Sequence, residues 1–163
     1  MLGKTTTFAL TGYRMGIEVN VEKGLLIPED RSATGKTYLC NLLKRYKTYG
    51  EPVLGISYTD YINDIDIRNC LRDKPKLIMI DRYDMFCGAF DEELIEASKN
   101  AVVVVDLKEG SITDAEQTCE LSLKGDKIEI NPFGTRIEER ANERKKKQNS
   151  VAQWYSRDEQ CFN

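Results

Sequence analysis

The stretch Leu25–Leu43, LLIPEDRSATGKTYLCNLL, decides how the rest of the chain is read. Leu25, Leu26 and Ile27 form a short apolar run. A small and polar segment follows, and after Gly35-Lys36-Thr37 apolar side chains recur at Leu39, Leu42, Leu43 and Tyr46 with helical spacing. The spacing predicts a strand, a loop and a helix. Such a loop suits a phosphate: Gly35 permits close approach, and the N–H groups and positive dipole end of the helix face the anion. On this reading Ser32, Ala33, Thr34, Gly35, Lys36, Thr37 and Tyr38 are the candidate binding residues. Lys36 acts as a point charge on the β and γ phosphates, and the Thr37 hydroxyl takes a place on magnesium. One position departs from the pattern G-x-x-x-x-G-K-[ST]: its first glycine is Asp30, which has less access to positive φ and brings a carboxylate toward the phosphates.

A second informative stretch lies downstream. Leu77-Ile78-Met79-Ile80 is a continuous apolar run, as for a strand buried on both faces, and it ends in Asp81. A carboxylate at that edge can hold magnesium beside the Thr37 hydroxyl; the plain alternative is an aspartate opening the turn Asp81-Arg82-Tyr83-Asp84. Ala101–Val105 is the most apolar segment and belongs at the centre of a sheet, with Asp106 at its end. Asp84 and Asp106 are the two candidate general bases, each with a turn contact at a strand edge as the alternative role.

Composition limits the chemistry. The 163 residues, 40% hydrophobic and 31% charged, suffice for one core, and the net charge of -3 provides no global attraction to nucleic acid or anionic membrane. Histidine is absent, so carboxylates, lysine, arginine and hydroxyls must do the work. Five cysteines without a C-x-x-C pair suit reduced thiols in a cytoplasmic protein, and no apolar run approaches the roughly 18 residues of a membrane span.

The remaining segments read in order. Thr5–Thr11 and Ile17–Glu22 are strands forming a small sheet beside the main one, and Tyr13 and Arg14 between them either offer stacking or cation–π contact to an adenine or are simply exposed in a hairpin turn. The helix after Thr37 ends near Tyr49-Gly50. Val53–Tyr58 is a strand, Asn63 or Asp64 caps a short helix reaching Leu71, and Asp91 caps another. Cys119–Leu123 and Ile128–Ile130 flank a hairpin turn at Lys124–Lys127. Residues 136–163 form a charge-dense tail, separate from a nucleotide-binding body spanning 1–135.

With strands alternating with helices, the Leu25 strand, Gly35-Lys36-Thr37 and the acidic strand end at Asp81 resemble the P-loop nucleoside triphosphatases, nearest the AAA-type, RecA-like and ABC-type branch. The resemblance implies an α/β, three-layer fold: a mainly parallel central sheet with β-hairpins at both ends, and Val102–Val105 inserted between the Leu25 and Leu77 strands. It implies ATP and Mg2+ as ligands. Arg82 follows Asp81 where hydrolytic members of that branch carry a glutamate. The expected activity is therefore a slow or partner-stimulated ATPase, working through a protein partner or self-association. The alternatives are a degenerate P-loop interaction module and a small-molecule kinase.

Overall fold

The computed structural model describes residues 5–9, 14–29 and 35–135. Its strands are β1 (Thr6–Phe8), β2 (Gly16–Val19), β3 (Gly24–Pro28), β4 (Val53–Ile56), β5 (Leu77–Ile80), β6 (Val102–Val105), β7 (Gln117–Lys124) and β8 (Lys127–Thr135). The helices are α1 (Lys36–Thr48), α2 (Tyr58–Ile62), α3 (Ile67–Arg72) and α4 (Asp91–Ala97), with a 3-10 turn at Tyr83–Phe86. All eight strands join one sheet in the order β1-β2-β8-β7-β3-β6-β5-β4.

The short apolar runs account for half of this sheet. β3, β6, β5 and β4 run parallel, and nearly all their residues are buried because alternate side chains enter different cores. Leu26, Val53, Leu77, Met79, Val102 and Val104 pack with Leu39, Leu43 and Tyr46 of α1. Leu25, Ile27, Leu54, Ile78, Ile80, Val103 and Val105 pack on the other side with Ile67, Tyr83, Phe86 and Leu94. There Phe86 stacks on Tyr61 with centroids 4.5 Å apart. α1 lies hard against β4. A Cβ added to Gly55 would stand 2.3 Å from the Cys40 carbonyl oxygen, so only glycine allows this approach.

The expectation of a three-layer P-loop fold with a mainly parallel sheet and separate terminal hairpins is overturned. The described residues form a single mixed sheet that curls into a half-barrel, with more strand than helix among them. Among the described residues there are four α-helices, and α1 alone is longer than two turns. Two physical reasons stand out. Left-handed residues at Asp64, Lys74, Arg82 and Cys87, with φ between 50° and 58°, interrupt the connections that would otherwise carry long helices. The terminal strands, moreover, do not stand apart. β7 and β8 pair antiparallel, β7 adds to β3, and β8 receives β2 in parallel, so the β1–β2 pair enters the main sheet instead of lying beside it. Ile17, Val19, Cys119, Leu121, Ile128 and Ile130 all enter the α1-side core. Their alternate neighbours Glu18, Glu120, Ser122 and Glu129 do not, so this half of the sheet is an apolar layer on one face only.

Smaller boundaries also differ. The strand expected over Val53–Tyr58 stops at Ile56, because Ser57 and Asp60 form a reciprocal capping box that starts α2. Asp66, not Asn63 or Asp64, caps α3 by accepting from the Asn69 N–H. Asp91 is the first residue of α4 and accepts from the Tyr83 hydroxyl at 2.6 Å, so it is not the cap.

Candidate functional site

Three strand ends and one helix start bring the polar groups together. β3 leads toward α1, and β6 and β5 lie next to β3 in that order, so Val102–Val105 lies between the Leu25 and Leu77 strands. Parallel register then sets Asp81, after β5, beside Asp106, after β6; the Asp106 N–H donates to the Ile80 carbonyl at 2.9 Å.

Opposite these carboxylates begins α1. Its N-cap, Gly35, has φ -96° and, among the described residues, makes no side-chain cap bond; no acidic residue occupies the first turn. As a glycine, the N-cap residue offers these first-turn N–H groups no side-chain acceptor, an arrangement that suits an external anion. Neither backbone nor packing demands glycine at 35: its φ is open to any residue, and an added Cβ would meet Leu121 at an ordinary 3.6 Å.

The side chains of this helix start reach the two strand ends. Thr37 Oγ1 donates to Asp81 Oδ2 at 3.2 Å. Lys36 Nζ lies 3.2 Å from Asp106 Oδ1, and both side chains are about nine-tenths buried or more, at 10% and 6% exposed. Burial raises the Asp81 carboxyl above its ordinary pKa; the Thr37 hydrogen bond opposes this, and the neighbouring Asp106 charge reinforces it. A hydroxyl and a carboxylate at hydrogen-bond distance match what magnesium takes from a protein at a phosphate site, one or two oxygens with water completing the shell. Among the described residues no group of three or more His, Cys, Asp or Glu side chains gathers as a metal site.

The structure thus assembles Lys36, Thr37, Asp81 and Asp106, with Gly35 at the helix start. It does not bring every candidate to them. Asp84 sits in the 3-10 turn, where the Arg82 Nε donates to its Oδ1 at 3.4 Å, and no described bond ties it to the other four. Tyr38 is 47% exposed. Arg14 is exposed. Asp30, Ser32, Ala33 and Thr34 of the loop, Tyr13 and the tail 136–163 lie outside the described residues.

Several neighbours escaped the sequence reading. The Arg82 backbone N–H donates to Asp106 Oδ2 at 3.4 Å, and the Tyr83 N–H to the Asp106 carbonyl at 2.8 Å, which holds the turn after Asp81 against the end of β6. Lys44 of α1 reaches Asp60 Oδ2 at 2.6 Å and the Ser57 hydroxyl at 2.9 Å, anchoring the end of β4 beside the site. Burial works against ionisation of Asp60, but the Lys44 ammonium and the Ser57 donors outweigh it and hold the carboxyl below its ordinary pKa. The pattern Ser57-x-x-Asp60 signals the cap in the sequence; nothing there signals Lys44. Burial also pushes the Cys40 thiol up to about 12, so this sulfur beside the site stays protonated and inert.

No described helix is long and apolar enough to cross a membrane. No family model matches the chain, and neither a curated protein nor a solved structure matches it.

Proposed function

We propose that the chain binds a magnesium nucleotide, ATP in the first instance, at the start of α1, and that it turns the nucleotide over slowly unless a partner contributes a missing group. One observation carries the reading: the first two residues of a helix with glycine at its N-cap present a buried ammonium and a hydroxyl, and each meets a carboxylate at the end of an adjacent parallel strand. Lys36 supplies positive charge to the phosphates, and the α1 N–H groups supply oriented donors. Thr37 and Asp81 would hold magnesium, which when bound neutralises charge on the β- and γ-phosphate oxygens. Gly35 fits this reading, since neither its φ nor its packing requires a glycine and a closely approaching ligand would.

Slow turnover follows from the residue after Asp81. Arg82 accepts no proton, and its guanidinium engages Asp84, one of the two candidate bases. General-base assistance contributes typically about 10² to 10⁴ in rate. Its loss leaves a protein better suited to binding than to rapid hydrolysis. A binding module without turnover is the second reading, and it rests on the same arginine. The thiol form of Cys40, Cys70, Cys87 and Cys119 supports a reducing, cytoplasmic setting for either activity.

Calorimetric titration of the full chain with ATP, with and without magnesium, tests the proposal. Binding in the micromolar to millimolar range is expected to depend on magnesium. Lys36→Ala should weaken it by roughly 10- to 100-fold, the worth of one or two charge-assisted hydrogen bonds. An unchanged affinity in that variant removes the phosphate role from this helix start. Phosphate release by the parent beside Arg82→Glu then separates the two readings: a gain marks a hydrolase lacking its base, and continued silence marks a binding module.

A further inference from the structure

Asp106 is not explained by phosphate binding. Its carboxylate is buried, with Oδ1 3.2 Å from Lys36 Nζ and Oδ2 3.4 Å from the Arg82 N–H. A lysine ammonium has three donors and no acceptor, so an anionic oxygen at this distance occupies one of them and competes with a phosphate oxygen for the Lys36 charge. The two anions also repel one another, and burial leaves that repulsion poorly screened.

We propose that Asp106 is a specificity-determining residue: a resident anion that competes with the terminal phosphate for Lys36, so that the site favours nucleoside diphosphates over triphosphates. This rests on the reading of the site as nucleotide-binding and adds to it which nucleotide is held. A diphosphate carries less charge and a shorter chain, and it leaves the Lys36–Asp106 pair in place. A triphosphate must share Lys36 with Asp106 and accept a carboxylate beside its last phosphate. The turn after β5 holds the carboxylate in this place: Asp106 Oδ2 accepts from the Arg82 N–H and the Asp106 carbonyl from the Tyr83 N–H, with Arg82 at a left-handed φ of 54°.

The test titrates the full chain and Asp106→Asn with Mg-ADP and with Mg-ATP, beside Lys36→Ala. Asparagine keeps the shape of the side chain and an acceptor for the Arg82 N–H while removing the charge. The parent is expected to bind ADP more tightly than ATP. Asp106→Asn should gain about ten-fold or more in ATP affinity while ADP affinity moves by less than about three-fold, inverting the preference. A merely structural role would weaken both nucleotides together. Should thermal melting show that Asp106→Asn does not fold, Asp106→Ser carries the same comparison. ATP tighter than ADP in the parent, or an ATP affinity unchanged or lowered by the substitution while Lys36→Ala still weakens binding, overturns the specificity role and leaves the nucleotide site standing. No binding of either nucleotide to any of the folded proteins overturns both.

Discussion

The two halves of the sheet are built by different rules. In β3, β6, β5 and β4 every strand is parallel to its neighbours, and the side chains fill cores on both faces. In β1, β2, β8 and β7 antiparallel and parallel pairings mix, and the apolar residues point to one core while acids and serine take the other side. The functional candidates divide accordingly. Asp81 and Asp106 end doubly buried strands, where parallel alignment places successive carboxylates at one edge. The hairpin of β7 and β8 contributes none of the four assembled groups; it supplies Leu121 beneath Gly35 and closes the side of the sheet on which the helix start rests. The first half carries the candidate groups and the second half supports the helix start that faces them.

Introducing the same charge into each half should separate them most sharply. Val103→Asp places a carboxylate at a fully buried position of β6, with no cation provided for it, and is expected to cost about 3–5 kcal/mol or to prevent folding. Leu123→Asp, at a β7 position 67% exposed, should stay within about 0.5 kcal/mol of the parent. Denaturant titration of both variants reads the contrast; similar midpoints would show that the halves do not differ in burial as described.

A smaller loss is expected where α1 rests on the parallel half. Gly55→Ala drives a methyl toward the Cys40 carbonyl at 2.3 Å, a contact with backbone that no rotamer relieves. Forcing the helix away should cost roughly 1–3 kcal/mol. Because α1 carries Lys36 and Thr37, nucleotide affinity should fall as well. A stable variant that retains full affinity would show that the helix start is positioned by its other contacts alone.

The least effect belongs to the polar link at the end of β4. Lys44→Met removes the partner of Asp60, and for a pair about one-third exposed on each side the loss is about 1 kcal/mol or less. Its pH dependence is more telling than its size. The folded-state pKa of Asp60 lies below the ordinary 3.8, so this contribution is present above 3.8 and is lost as the pH drops through the lower folded value. Asp81 has the opposite sign: its raised folded-state pKa favours the folded form when protonated, so its contribution improves as the pH falls through that raised value. Acid titration of stability in the parent and in Lys44→Met isolates the Asp60 part; parallel curves would mean that Lys44 does not govern this carboxyl.

How much of this was legible follows from the range of the signals. Short continuous apolar runs at Leu25, Leu77 and Val102 announced strands, the last two inside the sheet with Asp81 and Asp106 marking their ends. The periodicity after Thr37 announced α1, and Gly50, at φ 86°, stands beyond its last turn as expected. The Tyr58 helix was missed because a two-faced apolar strand and the first residues of a capped helix look alike when the run is short, although Ser57-x-x-Asp60 was there to be read. The architecture was misjudged for another reason. Strand alternation shows which face of a strand is buried, but it leaves open which edge of a distant strand will meet it.

Local sequence, then, determined the residue types that the candidate site needs and the elements that carry them: an ammonium and a hydroxyl opening a helix, and two carboxylates closing apolar strands. These are properties of a few adjacent residues, set by backbone preference and side-chain spacing. The tertiary structure alone decided that β2 would run parallel to β8, that the sheet would mix its directions and curl, that α1 would lie on the bare backbone of Gly55, and that Asp106 would meet Lys36 across 3.2 Å. Each of these joins residues far apart in the chain. Their energies come from surfaces and charges that meet only after every other strand has taken its place, so no local pattern encodes them.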